Sequence, residues 1–370
     1  MTDSLNPSAS RVMLVTKKLQ DFPVGGREQL CKLNYSALME IFGDRLVVYE
    51  LPGNKLQANV IRKIFSGHID GLNNEVIGEA QKKIKEEGIG IIFVDGSNLG
   101  EFVKVTKRNF PEISVSTFFH NVEARFFLGA LRHSKTLHAL AVLIANYLAE
   151  RKAVRYSDKI ICMTNRDSSL LQRLYGRPAT HLSALAIRDQ LPPGSGITTR
   201  VPHGRYALFV GGAFYANRAG ISWFVRHVVP HIRIKTCIVG KGFEKLKHEL
   251  GHAAKVEVVG VVDSLAEWYR DAHFVIAPIF DGSGMKTKVA EALMHGKKII
   301  GTPDAFSGYE DVVEHAGQVC TTADEFIAAI GSAKDEIVSS FDPELRMLYE
   351  EKYSYPAARS RLAGILCSVE

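Results

Sequence analysis

Cysteine is scarce in this sequence of 370 residues. The five present (Cys31, Cys162, Cys237, Cys320 and Cys367) are scattered, with no CxxC pair and no histidine beside them at metal-ligand spacing. Their scarcity and spacing exclude a disulfide framework, argue against a zinc centre and fit a reducing compartment. Long apolar runs are missing too. The longest, LHALAVLIANYLA at 137–149, is interrupted by His138 and Asn146 and falls short of the roughly 18 residues that mark a membrane span. Leu137, Leu140, Ile144 and Leu148 recur in it at helical spacing, so a buried amphipathic helix is expected there. The first residues, MTDSLNPSAS, are polar, and no secretory leader is expected. Internal repeats, low-complexity tracts and the recognition-helix or aromatic-basic patterns of nucleic-acid binders are also lacking, which removes nucleic acid from the expected partners.

What is present is the composition of a globular protein, 46% hydrophobic and 23% charged, in a chain long enough for two cores. Short β-branched runs alternate with helical segments. RVMLV (11–15), RLVVYE (45–50), IGIIFV (89–94), ISVSTFF (113–119) and KIICM (159–163) read as strands of a first unit. YALFVGG (206–212), TCIVG (236–240), VEVVG (256–260), FVIAPIF (274–280), KIIGT (298–302) and GQVC (317–320) read as strands of a second. Continuous apolar strands separated by helices imply parallel sheets covered on both faces, hence an α/β protein of two doubly wound, Rossmann-like domains. The segment 188–204, rich in proline and glycine, reads as the linker. The expected domains are 1–190, with the tail 350–370 packing back on it, and 205–349. Ligands of such sheets bind beyond the strands' C-terminal ends, here in a cleft between the domains. Charge is uneven: residues 1–200 carry a net +8 and residues 201–370 a net −2. The basic front half is expected to face anionic lipid or a phosphate-bearing acceptor, or simply to be a solvated surface.

The most informative stretch is DGSGMKTKVAEALMHGKKIIGT (281–302). A strand ends at Phe280, Asp281, Gly282, Ser283 and Gly284 form a loop, and a helix is expected from about Met285. Small residues let a ligand approach the backbone, and the helix's unpaired N–H groups favour a phosphate. Lys286 and Lys288 put cations where the helix dipole disfavours them, by a few tenths of a kcal/mol to about one. That placement makes sense if an anion sits there. Glu291, one and a half turns in, is placed to accept two hydroxyl hydrogen bonds from a ribose.

From about residue 205 to 310 the chain resembles the nucleotide-sugar domain of a GT-B-fold glycosyltransferase, most closely glycosyltransferase family four. The resemblance rests on LFVGGAFYANRAGISWFVRHVVPHI (208–232), IVGKGFEKL (238–246), the block from VEVVG to KKIIGT (256–302) and FSGYEDV (306–312), with GGRE (25–28), FFHNVEARF (118–126) and YSDKIICMTNRDSSLLQRLYG (156–176) in the first half. It implies transfer of a sugar from a nucleoside-diphosphate sugar to a glycan or lipid-linked acceptor, as in bacterial surface polysaccharide assembly. It also implies retention of anomeric configuration and no cofactor; the cysteine usage leads to the expectation of a cytoplasmic protein, and the basic first unit to that of peripheral docking on the inner face of the cytoplasmic membrane. Carried over by position, Glu291 meets the donor's ribose and Lys286 or Lys288 its diphosphate. Gly240, Lys241, Gly242, Val261 and Val262 flank the base, and Asn217 lies near the phosphates with Asp281 to Met285. Two positions depart from the family pattern: Ser283 stands where a second glutamate is usual, and Asn217–Arg218 where an Arg and a Lys are usual.

The resemblance also assigns the first unit to the acceptor. Gly25 and Gly26 follow its first strand, where a loop can reach the diphosphate. His120, closing ISVSTFF, stands where the superfamily often has a histidine facing the transferred sugar. Asp95 and Glu123 are alternative acceptor contacts or bases, or helix caps. No Asp-x-Asp pair follows a strand where a divalent ion would bridge a diphosphate, so metal independence is expected, with lysines and the helix start stabilising the leaving group. Two competing readings are a nucleotide-sugar epimerase of the same architecture, which needs no acceptor, and an inactive partner subunit, which would bind no nucleotide.

Overall fold

The structure is a computed structural model in which residues 10–21, 26–53, 67–191, 205–251, 253, 255–281, 284–336 and 341–368 are described. The chain divides into two compact units, 1–186 with 355–370, and 187–354. Segments 187–190 and 350–354 thus go with the second unit.

The first unit is built on six parallel strands, β1 (Arg11–Lys17), β2 (Leu46–Leu51), β3 (Ile89–Asp95), β4 (Ser114–Phe119), β5 (Lys159–Cys162) and β6 (His181–Leu182), in the order β2-β1-β3-β4-β5-β6. The second has β7 (Tyr206–Val210), β8 (Lys235–Val239), β9 (Val256–Gly260), β10 (Ala272–Ala277), β11 (Ile299–Gly301) and β12 (Gly317–Val319), in the order β12-β11-β10-β7-β8-β9. All pairings within both sheets are parallel. The central strands β3, β5 and β10 are buried along their whole length, as their continuous apolar sequences require when helices cover both faces. Eleven strands fall on the segments read from sequence. The twelfth, β6, has two residues and no periodicity to betray it.

In each sheet the strand order reverses beside the unit's first strand, between β1 and β3 and between β7 and β10. Loops leaving the carboxyl ends on either side of such a reversal part and leave a crevice. The helix Tyr355–Cys367 belongs to the first unit. Tyr355 donates its hydroxyl to Glu40 (2.7 Å), Arg359 pairs with Glu40 (2.6 Å), and buried Lys159 donates to the Ile365 carbonyl (2.7 Å).

One sequence expectation is overturned. The helix Leu137–Tyr156 forms, but its leucine stripe is not the buried face: Leu137 is 86% exposed, Leu140 40% and Ile144 39%. The buried face is Ala145, Asn146, Ala149, Glu150, Ala153 and Val154. The reason is close backbone contact with the Gly100–Asn109 helix. A Cβ on Gly100 would lie 1.9 Å from the Ala149 carbonyl oxygen, so only a small-residue face can pack there. Among the described residues no helix is long and apolar enough to cross a membrane.

Candidate active site

The carboxyl edge of the second sheet gathers residues far apart in sequence. After β7 the chain turns through Gly211 and Gly212 into the helix Tyr215–His227, which carries Asn217 in its first turn. After β8 it turns through Gly240, Lys241 and Gly242, and the two loops interlock: Ala213 donates its N–H to the Lys241 carbonyl (2.9 Å) and Gly211 to Val239 (3.0 Å). Gly240 is obligatory. It sits at φ +145°, and a Cβ there would meet the Gly211 carbonyl oxygen at 1.9 Å. The β9 loop joins through the Gly240 N–H, which donates to the Gly260 carbonyl (2.7 Å). Val261, next in line, is 66% exposed, Val262 is half-buried and Lys241 is exposed.

The loop after β10 leads to the helix Thr287–Met294, so the helix begins two residues later than expected, with Lys286 as its N-cap. Gly284, at φ +68°, and Met285 are buried, while Asp281 is half-buried. Gly282 and Ser283 lie outside the described residues, as does Gly25 in the first unit. Lys286 is half-buried and donates to the Gly284 carbonyl (2.7 Å), and the Tyr309 hydroxyl donates to the Lys286 carbonyl (2.9 Å).

Lys288 is 6% exposed. Its ammonium donates to Asn217 Oδ1 (3.0 Å) and lies 4.2 Å from the centre of the Phe209 ring. The Asn217 amide is aimed by its own donation to the Gly212 carbonyl (2.8 Å). Burial pushes the Lys288 amine down to about 7, with Glu291 opposing that shift and Lys286 adding to it. Glu291 is half-buried and accepts from the Tyr269 hydroxyl (2.7 Å). Burial raises the carboxyl above its ordinary range against that hydrogen bond and Lys288. A buried, near-neutral lysine beside a fixed amide is a reserve of positive charge that an arriving anion can call up. Tyr269, Phe209 and Tyr309 were not found by sequence reasoning, since each reads as an ordinary core aromatic.

The first unit gathers a second group at its own strand reversal. Asp95, at the end of β3, is 1% exposed and accepts from Asn34 Nδ2 (2.9 Å), Thr16 Oγ1 (3.3 Å) and His120 Nε2 (2.8 Å). Histidine and carboxylate hold each other: the imidazole depresses the Asp95 carboxyl against strong desolvation. His120 Nδ1 is buried and, among the described residues, has no hydrogen-bond partner. Cys31 Sγ lies 3.9 Å from His120 Nε2, a neighbour no sequence spacing announces. Gly26 opens the helix Gly26–Phe42 and is exposed, with open space where a Cβ would project. Glu123 begins the helix Glu123–Ser134 and faces Arg27 at 3.9 Å. A cavity of about 450 Å³ lies at the opposite, amino edge of the second sheet, around Lys297, Lys298 and Asp342, away from every predicted residue.

No curated protein matches the chain in sequence. Residues 204–335 match the family model described as glycosyl transferases group 1. Similar solved structures include sucrose-phosphate synthase from Thermosynechococcus elongatus, with a TM-score of 0.70 at 14% identity, covering 96% of this chain and 98% of that one. Anabaena HepE, solved in complex with UDP, gives 0.66 at 11% identity, over 97% of this chain and all of the other. WaaG, a glycosyltransferase involved in lipopolysaccharide biosynthesis, gives 0.62 at 16% identity with coverage of 97% and 100%. Residues 204–335 are therefore a group 1 glycosyl transferase domain, in a chain with the GT-B fold.

Proposed function

We propose that the protein transfers a sugar from a nucleoside-diphosphate sugar, bound by the second unit, to a glycan or lipid-linked acceptor, bound by the first. The observation that carries this reading is the convergence of Lys288, Asn217 and Glu291 with three glycine-bearing turns at the sheet's strand reversal. Glycosyl transfer proceeds through an oxocarbenium-like state while negative charge grows on the departing phosphate. Lys288, which takes up a proton from solvent when the anion binds, and Lys286 supply the compensating charge from fixed positions. Glu291, held by Tyr269, takes the ribose hydroxyls. His120, its imidazole anchored by Asp95, offers Nδ1 to a sugar hydroxyl. The chemistry asks no metal of these residues, and no side chain is needed as a dedicated base if configuration is retained. Complexes of HepE with UDP and with UDP-glucose support a nucleotide-sugar donor, and the likeness to WaaG, a glycosyltransferase involved in lipopolysaccharide biosynthesis, supports a place in bacterial surface-polysaccharide synthesis.

The test is a thermal-shift panel of nucleoside diphosphates and nucleotide sugars, since a ligand bound only by the native state raises the melting temperature. One nucleotide series should stabilise the wild type. Glu291→Ala should lose most of that shift, and Lys286→Ala or Lys288→Ala should slow turnover by roughly tens to thousands-fold. A flat panel, or three variants with unchanged kinetics, refutes the assignment.

A further inference from the structure

We propose that Cys31, Asp95 and His120 form a zinc-binding site in the first unit, and that a bound ion takes His120 out of use. Cys31 lies on the helix Gly26–Phe42, Asp95 ends β3 and His120 follows β4, so the fold joins what no spacing in the sequence does. All three are buried, and the thiol sulfur, a carboxylate oxygen and an imidazole nitrogen lie within 4.8 Å of one another. Thiolate, imidazole and carboxylate are donors that zinc selects. His120 Nε2 stands 3.9 Å from Cys31 Sγ and 2.8 Å from Asp95 Oδ1. Around a tetrahedral zinc these separations are about 3.5 and about 3.4 Å, so the ion fits with adjustments of roughly half an ångström.

The neighbours supply an outer shell. Asn34, one turn after Cys31 on the same helix face, and Thr16 both donate to Asp95 (2.9 and 3.3 Å) and fix its carboxylate. The His120 ring packs edge-on against Phe118. Cys31 also lines a cavity of about 330 Å³, which gives an ion its approach. Lys17 and Arg27 stand on the cavity wall, but each is paired with Asp70 (2.9 and 3.2 Å). Thiolate and carboxylate together cancel the charge of Zn²⁺, leaving a neutral buried complex. On binding, sulfur bonds to zinc and its proton passes to solvent. Asp95 accepts from Nε2, so in neutral His120 the lone pair is on Nδ1, which has no hydrogen-bond partner among the described residues. Zinc on Nε2 moves the ring proton to Nδ1 and turns that acceptor into a donor. It thereby withdraws the lone pair offered to a sugar hydroxyl, a consequence that rests on the transferase reading.

Calorimetry with zinc and spectroscopy with cobalt(II), both on the full chain, test this. Zinc should bind at one ion per chain, and cobalt in its place should show a thiolate-to-cobalt charge-transfer band. Cys31→Ser, or Cys31→Ala should the serine disturb folding, should abolish the band. Either should weaken zinc by at least about a hundredfold, since losing even an outer-shell partner costs about 10–100-fold. Asn34→Ala should keep the band and bind zinc about 10–100-fold more weakly. Cys367→Ser, which removes the exposed cysteine, should change neither. Zinc should slow sugar transfer by the wild type and leave Cys31→Ser at its metal-free rate. Metal binding is read without turnover, so a protein that binds zinc through Cys31 but transfers no sugar supports the site while counting against the transferase reading. No stoichiometric binding, a cobalt–thiolate band that survives Cys31→Ser, or transfer equally sensitive to zinc in both proteins overturns the proposal.

Discussion

Donor affinity should depend on pH through one lysine. In the ligand-free protein the Lys288 amine titrates near 7 because burial disfavours its charge. A bound diphosphate stabilises the ammonium and raises that value, so binding takes up a proton whenever the free amine is neutral. The sign follows. Below about pH 7 the lysine is already charged and affinity is level; above it, affinity falls tenfold per pH unit until the bound-state value is reached. Between pH 6 and 8.5 the dissociation constant of a nucleotide sugar should rise about 30-fold, equivalent to about 2 kcal/mol. Calorimetry with the intact nucleotide sugar is the assay, because its pyrophosphate diester has no proton to lose in this range and the change belongs to the protein. Lys288→Met should bind more weakly at pH 6, by about 1.5–3 kcal/mol for a lost charge-assisted contact, and its affinity should be flat with pH. Buried Lys297 is also lowered to about 7, but its ammonium donates to the carbonyls of Arg270 (2.9 Å) and Ala272 (2.8 Å), where β10 starts, at the far edge of the sheet. It should affect stability, which its titration makes rise as pH climbs from about 7 towards 10, and not the donor. A wild-type dissociation constant level from pH 6 to 8.5, or the same slope in Lys288→Met, would refute the reasoning.

Three further outcomes follow from particular contacts. Tyr269→Phe removes the hydroxyl that aims Glu291; donor affinity should fall several-fold with little change in turnover, and equal affinity would show that the carboxylate is fixed otherwise. Glu150, fully buried, accepts from Ser97 Oγ (2.9 Å), the Glu123 N–H (2.8 Å), the Ala124 N–H (3.0 Å) and Tyr175 (2.8 Å). Glu150→Gln turns one acceptor into a donor facing donors, and should cost about 1–3 kcal/mol, seen as a melting temperature lower by several degrees. Gly100→Ala should separate the Gly100–Asn109 and Leu137–Tyr156 helices at a cost of about 1–3 kcal/mol or more, so an unchanged denaturation midpoint would contradict the close contact.

The parts legible in the sequence were those whose signal is local. β-branched runs gave eleven strands, and the glycines, lysines and glutamate of 281–291 lie within one loop and one helix. What stayed hidden depends on who packs against whom. Periodicity says that Leu137, Leu140 and Ile144 share a face but not which way it turns, and here the approach of Gly100 to Ala149 decided it. Tyr269 and Phe209 could not be told from filler, because their roles exist only once Glu291 and Lys288 stand beside them. The meeting of Cys31, Asp95 and His120 depends on three separate elements converging, and no spacing along the chain encodes it.

The helix Tyr355–Cys367 imposes an order on synthesis. A nascent chain that has emerged only as far as Ser354 already contains every residue of the second unit, which can close while still tethered to the ribosome. The first unit, begun hundreds of residues earlier, must wait: Glu40 lacks its tyrosine and arginine, and Lys159 has no carbonyl to receive its proton donors. The unit whose residues come first in the sequence is therefore the one completed later, and deleting Tyr355–Cys367 would strip Glu40 and Lys159 of these partners.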